Sequence, residues 1–165
     1  MRKPPREKSH RLPPELYRGE QTVAFTCCVE DAQPLFRDDC VVAAFLPMLR
    51  AAAEQHDCRV LIYCFMPEHL HVLLDGQTGA ADPLRAMRAF KQRSGWWLRQ
   101  HSPEFRWQKD LYDHIVRREE DLGAQVRHIA DNPVRRGLVS DWHQWPHTGA
   151  MGIELEAVMD GVITL

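Results

Sequence analysis

No stretch of this chain is apolar for long enough to cross a membrane, and its opening, Met1-Arg-Lys-Pro-Pro-Arg-Glu-Lys8, lacks the apolar centre of a secretory leader. These absences point to a cytoplasmic protein with no membrane partner. Cysteine is sparse and unpatterned: the five, at 27, 28, 40, 58 and 64, are odd in number and form no CxxC pair. They read as small core residues in a reducing compartment. Internal repeats and low-complexity tracts are missing as well. Tyrosine is scarce, at Tyr17, Tyr63 and Tyr112 only. A strong excess of charge is also lacking, since the net charge is -2.

What is present fits one domain of 165 residues, long enough to bury a core without covalent staples. The small net charge conceals an uneven distribution. Nine basic residues against three acidic ones fall between Pro83 and Arg118, whereas residues 141–165 carry four acidic residues and no Lys or Arg. A local positive field of this kind attracts phosphates, although a solvated helix face accounts for it equally well.

Residues 1–20 hold Pro4, Pro5, Pro13 and Pro14 among charges and read as a basic, extended arm. A domain over 21–146 and a tail over 147–165 follow. Gln21 to Val29 is rich in β-formers, and Asp38 to Gln55 has helical apolar spacing with an acidic cap, interrupted by Pro47, which would kink or divide the helix. Cys58–Met66 and the run after Pro67-Glu68 form an antiparallel hairpin, because the turn is too short for a crossover. Asp82 and Pro83 start a helix that runs to about Gln100. Its Leu84, Met87, Phe90 and Trp97 face a core, and Arg85, Arg88, Gln92 and Arg99 face elsewhere. A strand within 105–116 and a helix from Arg118 to Asp131, stopped by Pro133, complete the order. Strand, helix, strand, strand, helix, strand, helix is the order of an α+β sandwich, an antiparallel sheet with helices packed on one face.

The chemistry centres on His69-Leu-His71. Strand side chains repeat every two residues, so both imidazoles leave one face while Leu70, Val72 and Leu74 enter the core from the other. Two converging imidazoles can share a metal ion; a strand with two half-exposed histidines is the plainer alternative. His128 and Asn132, four apart on the last helix, share a face, and Asn132 either supplies an oxygen ligand or caps the helix before Pro133. Arg85, Arg88, Lys91, Arg93 and Arg99 are candidate phosphate contacts, and Trp96 or Trp97 a candidate base-stacking residue. Glu68 either orients a ligand or is a surface turn residue, and the turn is preferred.

Phe-Met-Pro-Glu-His69-Leu-His71-Val-Leu, Trp107-Gln108, Tyr112-Asp-His114-Ile-Val-Arg117 and His128-Ile-Ala-Asp-Asn132-Pro-Val134, in this order, resemble the REP-associated tyrosine transposases, within the insertion-sequence transposases that carry a His-hydrophobic-His motif. The resemblance implies a ferredoxin-like fold and a divalent metal, Mg or Mn, on His69, His71 and Asn132. It implies single-stranded or hairpin DNA as partner, acted on by a monomer or a homodimer. A tyrosine one turn before the polar ligand would attack the scissile phosphorus to leave a phosphotyrosine.

At that tyrosine position the chain has His128. Three readings stay open: strand transfer is impaired and DNA binding retained, His128 is an extra ligand, or its imidazole is the nucleophile. Tyr112 reads as a packed aromatic, with substitution for the missing nucleophile as the alternative. A non-catalytic DNA-binding descendant of the family and a small metal-dependent phosphodiesterase are the competing functions.

Overall fold

The computed structural model describes residues 11–117 and 120–160. Most of the expected arm and the start of the last expected helix, at Arg118, lie outside them. Strand β1 (Thr22–Cys28) leads through two short 3-10 turns to α1 (Asp39–Gln55), whose first turn is capped by Asp38 accepting from the Cys40 N–H at 2.9 Å. Pro47 neither ends nor divides α1. It sits on the exposed side together with Ala43, so the carbonyl it leaves without a donor faces water.

The hairpin of β2 (Cys58–Met66) and β3 (His69–Gly76) forms as expected, antiparallel across Pro67-Glu68. Helix α2 (Pro83–His101) starts at the expected cap, with Asp82 accepting from the Arg85 N–H at 3.0 Å. After β4 (Tyr112–Val116) come α3 (Leu122–Ala130), capped by Asp121, and a single turn, α4 (Asn132–Arg135). Pro133 opens α4 instead of only closing α3, because the first turn of a helix has no use for the missing N–H. The described residues end in a two-residue strand, β5 (Thr148–Gly149), and α5 (Leu155–Met159).

The five strands make one antiparallel sheet in the order β4-β1-β3-β2-β5. The four strands β4-β1-β3-β2 have the interleaved order of a ferredoxin-like sandwich. Helices α1 and α2 lie together on one face, over Phe25, Phe65, Leu70, Val72 and Leu74. A smaller layer of α3, α4 and α5 packs over β2 on the other face, where Val126 and Ile129 meet Leu61, Ile62, Met66 and Leu73. Alternation along β3 produces both layers, since Leu70, Val72 and Leu74 point one way and His69, His71 and Leu73 the other.

Residues at both ends are tied to the body. Tyr17 is fully buried and its hydroxyl donates to Asp113, to which Arg11 also pairs at 3.2 Å. Trp145 donates from Nε1 to the Phe65 carbonyl at 2.9 Å, and β5 extends the sheet beside β2. Gly149 has to be glycine, because a Cβ there would meet the Tyr63 ring at 2.6–3.2 Å.

Candidate metal centre and nucleic-acid interface

His69 and His71 emerge from the central strand of the sheet, between β1 and β2. Their Nε2 atoms converge to 3.0 Å with the rings nearly perpendicular. Each Nδ1 is held from behind. That of His69 lies 3.1 Å from Glu68 Oε1, and that of His71 lies 3.0 Å from the hydroxyl of Thr26 on β1. A proton on each Nδ1 donates to these oxygens and leaves an Nε2 lone pair free on both rings.

Glu68 is itself fixed, accepting from Arg136 Nη1 at 2.6 Å. Burial raises its pKa, but the bonds from Arg136 and His69 more than offset this and hold the carboxyl below its ordinary value. The expectation of a plain turn residue is thereby replaced: Glu68 orients an imidazole. Burial also lowers both histidines, and the positive neighbours His69, His128 and Arg135 push His71 down further, to about 3. Near pH 7 the pair is neutral, the form that binds a cation.

The fit to a metal can be tested on the spacing. Two nitrogens in adjacent positions of an octahedron with bonds of about 2.1 Å stand about 3.0 Å apart, and in a tetrahedron about 3.4 Å apart. The observed 3.0 Å between the Nε2 atoms is close enough for both to reach one cation. Among the described residues no third His, Cys, Asp or Glu joins them as a metal-binding group.

His128 and Asn132 lie on the layer that covers this face. Asp131 between the two helices keeps helical backbone, so Asn132 follows His128 by about one turn. His128 is exposed and its charge bears on His71. Asn132 is half-buried, opens α4 rather than capping α3, and makes no side-chain hydrogen bond among the described residues. Its amide is uncommitted to any neighbour. Arg135 donates to the His128 carbonyl at 2.8 Å and, with Arg136, brings two cations to the rim. Sequence reasoning missed Thr26, Arg135 and Arg136; the two arginines follow Asn132 closely in the chain, whereas Thr26 lies 45 positions from His71 and left no signal.

The basic helix lies elsewhere. Arg85, Arg88 and Arg99 are exposed on α2, which packs on the face of the sheet opposite the histidines. They form no side-chain hydrogen bond or ion pair among the described residues, and the exposed Trp96 falls in the same helical row. Lys91 and Arg93 are tied into the fold. Lys91 donates to the Gln108 carbonyl at 2.7 Å, and Arg93 to Gln55. Trp97 packs against the core, as its position on the apolar side implied. His114 is exposed on β4 and pairs with Glu120 at 3.0 Å, so it has a structural partner.

Residues 20–116, which include the paired histidines, match the family described as Transposase IS200 like. The chain belongs to that family. Over 138 residues it is 24% identical to a Haemophilus influenzae protein whose curated name places it among the REP-associated tyrosine transposases, covering 75% of this chain and 76% of that one. The fold is that of a REP-associated tyrosine transposase solved bound to a REP hairpin, with a TM-score of 0.69 and 20% identity over 86% of this chain and 82% of that one. A Deinococcus radiodurans structure named as a transposase gives a TM-score of 0.49 at 19% identity, over 70% of this chain and 92% of that one. The chain has an antiparallel α+β sandwich, and no helix among its described residues is long and apolar enough to cross a membrane.

Proposed function

We propose that this chain is a DNA-processing protein that holds Mg²⁺ or Mn²⁺ on His69 and His71 and binds single-stranded or hairpin DNA there. The observation that supports it most is the pair of neutral, convergent Nε2 atoms with both Nδ1 atoms anchored. Asn132 supplies the third protein ligand from α4. When bound, the cation polarises a phosphate oxygen and stabilises charge on the phosphoryl group. Thr26 and Glu68 keep the imidazole planes fixed, Arg136 keeps Glu68 ionised, and Arg135 and Arg136 draw the backbone toward the rim. On α2, Arg85, Arg88 and Arg99, with Lys91 and Arg93 beside them, add sequence-independent attraction.

A second reading, a DNA-binding protein without strand transfer, is favoured by one observation. Neither α3 nor α4 carries a tyrosine, and by the family resemblance His128 stands where one is expected. Calorimetric titration with Mn²⁺ and gel-shift assays with hairpin DNA test both readings. Wild type should bind the metal and the hairpin, and His69→Ala or His71→Ala should lose the metal while retaining part of the DNA affinity. Absence of Mn²⁺ binding by wild type removes the metal reading. Cleavage of hairpins by wild type removes the second.

A further inference from the structure

Among the described residues the face that carries the histidines is only partly covered. The layer of α3, α4 and α5 rests on β2 and its cluster takes in Ala24 of β1 and Val116 at the end of β4, while the start of β4 on the same face is exposed. Beside it runs the row Ala24, Thr26 and Cys28 of β1, small side chains that are each only partly buried. At its outer edge stands Tyr112, the first residue of β4 and 65% exposed.

The register places Tyr112 in line with the metal ligands. Thr26 pairs with His71 on one side and with Tyr112 on the other, and paired residues on adjacent strands share a face. Of the three tyrosines, Tyr17 and Tyr63 belong to the core cluster on the opposite face, so Tyr112 alone looks over the site. The expectation that Tyr112 is a packed aromatic is therefore replaced. It is exposed at the start of an edge strand and belongs to neither core cluster among the described residues.

We propose that Tyr112 is the stacking surface of a subsite for one unpaired nucleobase, next to a phosphate held at the His69 and His71 pair. The inference rests on the DNA-binding reading above and adds to it the residue that contacts a base. Two strand spacings separate Tyr112 from His71, about 10 Å across the sheet. This is a suitable span for a nucleotide, whose base lies one sugar away from its own phosphate. The small side chain of Thr26 between them leaves room for the sugar. Charge is matched across the shelf, with Arg135 and Arg136 on the histidine side to hold phosphates and an aromatic face on the other to take a base. A duplex offers no such base, because its faces are already stacked.

The test uses the whole protein with Mn²⁺ and two probes, a single-stranded 12-nucleotide thymidylate and an abasic strand of the same length. These have the same phosphates and differ in their bases. Wild type should bind the thymidylate about tenfold more tightly than the abasic strand. Tyr112→Phe and Tyr112→Trp should keep that preference, since the ring and not the hydroxyl is used. Tyr112→Ala should bind both strands with the abasic affinity. Equal binding of both strands by wild type, or an undiminished preference in Tyr112→Ala, overturns the subsite and leaves the metal reading standing. Failure of wild type to bind either strand overturns the DNA-binding reading and the subsite together.

Discussion

The hydroxyl of Thr26 lies 3.0 Å from Nδ1 of His71, on the neighbouring strand and directly across the ladder. This contact selects the ring face that the imidazole shows to the site. Substitution by valine keeps the shape and removes the acceptor, so Thr26→Val should weaken Mn²⁺ binding about tenfold or more, with Thr26→Ser close to wild type. Calorimetry on the three proteins measures it, and equal affinities would show that strand packing alone orients His71.

His128 provides a gain-of-function experiment. It lies one turn before Asn132 and its charge bears on His71, so His128→Tyr puts a phenol at that position. Incubated with hairpin DNA and Mn²⁺, this variant should give a covalent protein-DNA species on a denaturing gel where wild type gives none. A covalent product from wild type would instead identify the imidazole as a nucleophile.

Arg88 separates the two faces of the molecule. It is exposed on α2, remote from the histidines, so Arg88→Ala should leave Mn²⁺ affinity unchanged and lower hairpin affinity. The slope of log affinity against log salt should fall by about 0.9 if one phosphate contact is lost. An unchanged slope would assign Arg88 to the solvated surface.

Burial pushes the Cys27 thiol up to about 12. A free thiol loses its proton near 8.5, so between these values the unfolded chain releases a proton that the folded one retains. The contribution is therefore complete below about pH 8.5 and is lost as pH rises toward 12, by up to about 1.4 kcal/mol per pH unit. Urea unfolding from pH 8 to 11 should show a shallower decline in Cys27→Ala than in wild type, after the cost of the small cavity is subtracted.

The parts of the site that obey a period were readable without coordinates. Alternation alone put His69 and His71 on one face, and the helical repeat put His128 and Asn132 on another. Caps at Asp38 and Asp82 were readable for the same reason, because a helix start leaves a local chemical mark. Which side of the sheet each helix would take left no such mark. The arginines of α2 look like neighbours of a phosphate site by composition, yet the core face of that helix binds Leu70 and Val72 and carries the cations to the back. Single contacts such as Thr26 to His71 and Arg136 to Glu68 join residues 45 and 68 positions apart, and nothing in a linear pattern pairs them. Strand β5, with two residues, is too short to have any period.

Placing the histidines and the basic helix on opposite sides of one sheet sets a lower limit on the nucleic acid that can use both. On the proposed function, a fragment that reaches only the histidine pair would be held at one point and free to swivel. One long enough to pass around the β4 or β5 edge would be held at two points, like thread laid over a rim. The perimeter of the sheet, and no single pocket, would then determine how long a strand must be before affinity stops rising with its length.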